Sequence, residues 1–424
     1  MLTVEIEANY DKTIPCSYSN VKDTMLALEG IKILDLTWQG PGPFCTMILG
    51  DLGAKIIRIG PPPTSGARQS SRKVGEKELA YQAINRNKKS ILLNLKLEEG
   101  RHVFYQLAEE ADVVVEGFRP GVAERLGVDY QMVTKINPKI IYCSISGYGQ
   151  DGPYRDLPGH DINYISIGGA LNLIGEADRP PVVPLNLIAD YGAGGKDAIV
   201  GILSALIARD KTGKGQYIDI SLTDGVISLL STTVLSRYFL NGAMIKRGEN
   251  LIAGTYPYYS IYQTKDEKFI TIGCIEPWLW ANLCRAIGRE DFISSHVEPE
   301  HWLYKVKDKK WQEISVYLKQ LFLTRTRDEW FEFLSQKDVP VGKVYSLDEV
   351  FADPQVLSRK MLIEVEHSTE GKIKQPGISI KLSDTPGKVR SLAPLPGEHT
   401  SEILAGLGFT QQKINKLRQE EIVG

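Results

Sequence analysis

The sequence predicts an α/β protein, with a large, Rossmann-like doubly wound domain built from both chain ends and a smaller α+β domain between them. Three observations carry this. Short buried-strand patterns alternate with helical ones from Ile31 to Ser146, charge and glycine replace apolar periodicity from Gly242 to Gly254, and strand-like segments return after Val341. The expected divisions are a leader over 1–27, the large domain over 28–226, a linker over 227–254, the smaller domain over 255–345 and a return to the large domain over 346–424.

Composition bounds the function before any motif does. Of 424 residues, 42% are apolar and 24% charged, as in an ordinary soluble enzyme, and a chain this long suggests two domains or one elaborated one. A net charge of -2 gives no electrostatic reason to expect nucleic acid or an anionic membrane as partner. The five cysteines, Cys16, Cys45, Cys143, Cys274 and Cys284, show no metal-ligand spacing and are odd in number, so no metal is expected and a reducing, cytoplasmic setting fits. The acidic first residues do not read as a signal or transit peptide, and no apolar run is long enough to span a bilayer.

In order, Ile31 to Thr37 reads as a buried strand, Gln39-Gly-Pro-Gly-Pro-Phe44 as a loop, Cys45 to Leu52 as a helix ended by Gly53, and Lys55 to Ile59 as the next strand. The alternation continues with a strand from Ser90 to Leu95, a helix from Glu98 to Glu110, a strand from Asp112 to Glu116, a helical stretch from Pro120 to Asn137 and a strand from Ile140 to Ser146. Ligands of such sheets sit at the carboxyl ends of the strands. Gly147-Tyr-Gly-Gln-Asp-Gly152 matches a dinucleotide fingerprint, but Pro153 and Pro158 stand where its helix should open, so the stretch reads as a tight loop delivering His160.

That loop leads to the stretch of most chemical promise. Pro158-Gly159 is a turn, His160 and Asp161 follow it, and a helix is expected to begin there, where unsatisfied backbone N–H groups favour developing negative charge. Asp161 also suits a plain helix cap. Asp190 is expected at a second strand-to-helix turn, after Pro184-Leu-Asn-Leu-Ile-Ala and before the helix Ala198 to Ala208. A strand is expected from Gln216 to Ser221 and a helix from Leu222 to Leu240. In the smaller domain, strands Tyr258 to Gln263 and Lys268 to Cys274 precede a Trp-rich helix whose first residue, Pro277, puts Glu276 at the N-cap.

Several dispersed segments, in order, resemble one family. They are Pro41-Gly-Pro-Phe44, Gly50-Asp-Leu-Gly-Ala54, Asn85-Arg-Asn-Lys-Lys-Ser90, Glu116-Gly-Phe-Arg-Pro-Gly-Val122, Gly147 to Gly152, Gly159-His-Asp-Ile-Asn-Tyr164 and Gly213-Lys-Gly-Gln216. From about Leu28 to Thr400 the chain resembles the family III CoA-transferase (CaiB/BaiF) superfamily, which also contains the α-methylacyl-CoA racemases. The resemblance implies an acyl-CoA substrate, coenzyme A entering only as part of its thioester, and an interlaced homodimer.

The two branches use these residues differently. In the transferases the aspartate at Asp161 is a nucleophile that forms covalent intermediates, whereas the racemases pair the histidine at His160 with a distant aspartate and a glutamate of the small domain, matched by Asp190 and Glu276. Pro41-Gly-Pro-Phe44 resembles the racemase form of the first loop, and Gly254 stands alone where a transferase has a glycine-rich cover. After Arg58 the chain reads Ile-Gly-Pro-Pro-Pro, without the extra basic residue of some racemases.

Inverting an α-carbon requires one group to remove its proton and another, on the opposite face, to return one, and His160 with Asp190 suits this in type, Glu276 orienting the imidazole. Because CoA is anionic, Arg86, Lys88, Lys89 and Arg119 are candidate phosphate contacts. The expected activity is therefore racemisation of a 2-methyl-branched acyl-CoA through an enolate, the alternative being CoA transfer between carboxylic acids with Asp161 as nucleophile. A non-enzymatic acyl-CoA-binding protein fits less well, since every acid/base candidate is present.

Overall fold

The structure, a computed structural model, describes residues 25–65, 82–231, 234–242, 244–296, 309–367 and 370–424. Most of the leader, with Cys16, lies outside the described residues.

A six-stranded parallel sheet organises the larger part of the chain. Its strands are β1 (Lys32–Asp35), β2 (Lys55–Gly60), β3 (Lys88–Leu92), β4 (Val113–Glu116), β5 (Ile141–Ser146) and β6 (Tyr217–Ser221), in the order β3-β2-β1-β4-β5-β6. The order reverses between β1 and β4, so the crevice for a ligand opens outside their carboxyl ends. Parallel strands are buried on both faces, and the residues alternate accordingly: Ile33, Ile56 and Val113 pack on one side, Leu34, Ile57 and Val114 on the other.

Helix α1 (Pro41–Asp51) follows β1, α2 (Glu98–Glu109) precedes β4, and α3 (Val122–Leu126) and α4 (Tyr130–Ile136) precede β5. The single helical stretch expected over 120–137 is thus two, because Gly127 takes φ +69° and closes α3. Strand β3 begins two residues before the expected Ser90. Asn87-Lys88-Lys89 reads as polar surface, yet Lys88 is buried by pairing with Asp35, which sequence periodicity does not register. The C-terminal residues Ile403, Leu404, Ile414, Leu417, Ile422 and Val423 join the core on the Leu34 face of the sheet.

A separate apolar core runs from Leu251 to Val339 around the antiparallel strands β7 (Tyr259–Gln263), β8 (Phe269–Gly273) and β9 (Val341–Lys343), with Trp280 and Trp330 buried in it. Among the described residues no helix is long and apolar enough to cross a membrane.

Glu116, at the carboxyl end of β4, is buried and accepts a 2.7 Å hydrogen bond from the Phe118 N–H. Burial pushes its carboxyl up to about 7 against the opposing pull of Ser144 and Phe118. Because the folded value lies above the ordinary one of 4.5, the native state takes up the proton first, and stability falls as pH rises through that window. Glu116→Gln should therefore gain about 3 kcal/mol at pH 8 and almost nothing near pH 4.5, read as thermal midpoints at the two pH values. An equal gain at both would show that Glu116 is not the titrating group.

Candidate active site

The loop after β5 passes through two close approaches before it reaches His160. A Cβ on Gly147 would lie 2.2 Å from the Tyr164 ring and one on Gly159 2.6 Å from it, so the ring is seated between two stretches of backbone that only glycine allows. Tyr148 crosses Tyr164 edge-on at 5.2 Å, and Thr223 and Asp219 fasten the loop through the Gly147 carbonyl and the Gln150 N–H. Gly147→Ala should cost roughly 1–3 kcal/mol and move His160 enough to lower turnover about tenfold or more, measured by denaturant midpoint and kcat; an unchanged kcat would show that Tyr164 does not set the turn.

Helix α5 (Asp161–Ile167) begins after this turn, with His160 rather than Asp161 at its N-cap. The Asn163 side chain reaches back to accept the His160 N–H at 3.0 Å, and the imidazole is left exposed.

Asp161 does not cap its own helix. Its side chain is 4% exposed, and Oδ2 accepts the N–H groups of Ala189 at 2.8 Å and Asp190 at 2.9 Å, while Oδ1 is buried without a hydrogen-bond partner. Those N–H groups belong to the first turn of a π-helical segment, Leu187–Gly195, that runs into α6 (Lys196–Thr212). The strand-to-helix turn expected at Asp190 is thus a wide helical turn, and Asp161 supplies the acceptor that such a helix start lacks.

Asp190 sits on that turn, half-buried. Its Oδ2 accepts from Asn186 Nδ2 at 3.0 Å, and Gly40, at φ +63°, faces it so closely that a Cβ there would stand 3.4 Å from Oδ2. Burial raises its pKa, Asn186 opposes this, the Asp161 charge adds to it, and His160 pulls it down. Asp190 and His160 therefore lie within electrostatic reach of each other, one held basic by its surroundings and the other open to solvent. Asn186 and Gly40 were not singled out by the sequence, and Tyr164 only as the last residue of the Gly159-His-Asp-Ile-Asn-Tyr164 segment. The four-residue spacing of Asn186 and Asp190 and the glycine before Pro41 were the available signals.

Burial pushes the Tyr164 hydroxyl up to about 12, Tyr148 and Asp190 add to this, and Arg119, itself exposed, counters it from within electrostatic reach. The other basic candidates separate. Arg86 is buried in a two-bond ion pair with Asp51, at 2.9 and 2.6 Å, and Lys88 is buried against Asp35, so neither is available to a phosphate. Lys89 is partly exposed and pairs with Glu402. Glu276 stands at the N-cap of helix α7 (Pro277–Ala286), with Pro277 at its first position as expected, but belongs to the smaller unit. Among the described residues nothing in the single chain joins it to His160 by a hydrogen bond. His296 Nε2 donates to the carbonyl just before it, lying 2.7 Å from the Ile275 oxygen.

The sequence model of CoA-transferase family III matches residues 28–400. The chain belongs to CoA-transferase family III. Family members of both branches stand at similar distance from it. Human α-methylacyl-CoA racemase is 33% identical over 399 residues, covering 94% of this chain and 98% of its own length. Human succinyl-CoA:glutarate CoA-transferase is 35% identical over 402 residues, covering 93% and 90%. The crystal structure of a CaiB/BaiF family protein from Brucella suis matches with a TM-score of 0.75 at 30% identity, over 90% of this chain and 99% of that one. The family resemblance read from the dispersed motifs therefore stands, and this family III protein is an enzyme of that superfamily.

Proposed function

We propose that this family III enzyme is an acyl-CoA racemase that inverts the α-carbon of a 2-methyl-branched acyl-CoA. The observation that carries the reading is the division of labour between the carboxylates. Asp161, which CoA transfer would require as nucleophile, is buried and committed to two backbone N–H groups, whereas Asp190 and His160 are reachable and chemically opposed.

One carboxylate or imidazole removes the α-proton, the C–H electron pair moves into the thioester carbonyl to give an enolate, and the other group returns a proton to the opposite face. For one substrate hand Asp190 is the base and imidazolium His160 the acid. For the other the roles exchange. The first two N–H groups of α5, those of Asp161 and Ile162, precede the Asn163 N–H that already bonds the His160 carbonyl, and as helix-start donors they suit the enolate oxygen. Of the four basic candidates for the CoA phosphates, the exposed Arg119 and the partly exposed Lys89, itself paired with Glu402, are the two whose accessibility supports that role.

Glu276 reaches His160 in this proposal from a second copy. Leu185, Phe239, Leu240 and Met244 are each more than 70% exposed, and burying such apolar side chains in a homodimer supports that arrangement. CoA transfer remains the second reading because Asp161 Oδ1 has no hydrogen-bond partner. Hydroxylamine with acyl-CoA and an acceptor acid separates the two: a racemase stays active and untrapped, and inactivation with a hydroxamate at Asp161 would establish the transferase.

A further inference from the structure

Beneath the active-site loop lies a buried ion pair for which the proton-transfer chemistry has no use. Lys88 and Asp35 have fully buried side chains, 0% exposed, joined at 3.1 Å. They are not strand neighbours, since β2 runs between β3 and β1. The registers place Lys88, Ile56 and Ile33 side by side, so the lysine reaches along the sheet under α1 to the carboxyl end of β1.

Every polar atom of the pair is occupied. Lys88 Nζ also donates to the Pro43 carbonyl at 3.1 Å and contacts Thr46 Oγ1 at 2.8 Å. Asp35 accepts from the Thr37 N–H at 2.9 Å, the Thr37 hydroxyl at 2.5 Å and the Thr46 hydroxyl at 2.6 Å. The Lys88 charge and these hydroxyls hold Asp35 below the ordinary carboxylate range although burial acts the other way.

A buried ion pair is a poor source of stability, because desolvation offsets its attraction. What this one does is geometric. Its partners bracket the segment from Thr37 to Thr46, which is the loop before α1 and the start of that helix, and the segment is packed without slack: a Cβ on Gly42 would fall 2.3 Å from the Thr37 side chain, and one on Gly195 2.8 Å from the Phe44 ring. At the loop's tip Gly40 covers the Asp190 carboxylate, and Phe44 meets Tyr191, the next residue, at 5.0 Å between ring centroids.

We propose that Lys88 and Asp35 are positioning residues that fix the loop before α1 against the turn carrying Asp190, and so set how far that carboxylate is shielded from water. The inference rests on Asp190 acting as a proton-transfer group. Asp190 otherwise faces His160, Asp161 and Tyr164 of α5 and Asn186 of its own turn, so the loop contributes shielding without charge.

The test is the double variant Lys88→Met/Asp35→Asn, which removes one charge of each sign and leaves the net charge unaltered. With the fold intact by circular dichroism, KM for the acyl-CoA should stay within about threefold while kcat for α-deuterium exchange falls about thirtyfold. The acid limb of the kcat profile should also move to lower pH, because an Asp190 exposed to water loses the burial that raises its pKa. An acid limb left in place, whatever the change in kcat, would overturn the proposal and leave the pair a structural feature only. If the double variant does not fold, Thr46→Val is judged by the same two readouts, with about a threefold loss of kcat expected for one hydroxyl. Should the wild type show no exchange, the proton-transfer reading has failed first, and the positioning claim then stands or falls on whether kcat drops at constant KM in CoA transfer.

Discussion

Asp190→Asn is expected to lower α-proton exchange about a thousandfold, the range over which a positioned acid or base accelerates proton transfer. The amide keeps the volume beside Gly40 and can still present an oxygen to Asn186 Nδ2, so the turn should persist. Binding of the CoA ester, measured by calorimetry, should change by no more than a few-fold. Exchange reduced less than tenfold would remove Asp190 from the chemistry. Because burial raises its pKa, the wild-type rate should rise with pH along an acid limb lying above the usual carboxylate range, and the variant should lack that limb.

The second large effect is expected at Asp161, where two substitutions diverge. Asparagine can place its amide oxygen where Oδ2 now accepts from Ala189 and Asp190, at the expense of a buried NH2 group. Alanine leaves both N–H groups buried without an acceptor, at about 1–3 kcal/mol each, and frees the turn that carries Asp190. Exchange should therefore survive within about tenfold in Asp161→Asn but fall about a hundredfold in Asp161→Ala, together with the thermal midpoint. A covalent mechanism predicts otherwise, since both substitutions remove the nucleophilic oxygen and both should be equally inert. Parallel turnover measurements on the two variants decide between these patterns.

The sheet was legible because burial on both faces writes continuous apolar runs such as Val113 to Val115 and Ile140 to Cys143, set between helical periods. Glu276 at a helix N-cap was legible because Pro277 marks the first helical position. What stayed hidden depends on contacts distant in sequence. Lys88 and Asp35 are 53 positions apart, and Arg86 lies 35 from Asp51, so each basic residue read as a candidate phosphate contact when it was buried and paired. Asp161 read as a cap for its own helix because the N–H groups it serves lie 28 and 29 residues away. The wide turn at Asp190 was read as a strand end, since Leu187-Ile-Ala is as apolar as a short strand and nothing local distinguishes the two.

The most direct test of the account is deuterium incorporation by the wild-type enzyme. A single enantiomer of a 2-methylacyl-CoA is incubated in deuterated water with no acceptor acid, and the α-position is followed by proton NMR. The account predicts that the α-proton signal disappears while both enantiomers accumulate. A retained α-proton and unchanged configuration, with CoA moving only when a second carboxylic acid is added, would contradict it.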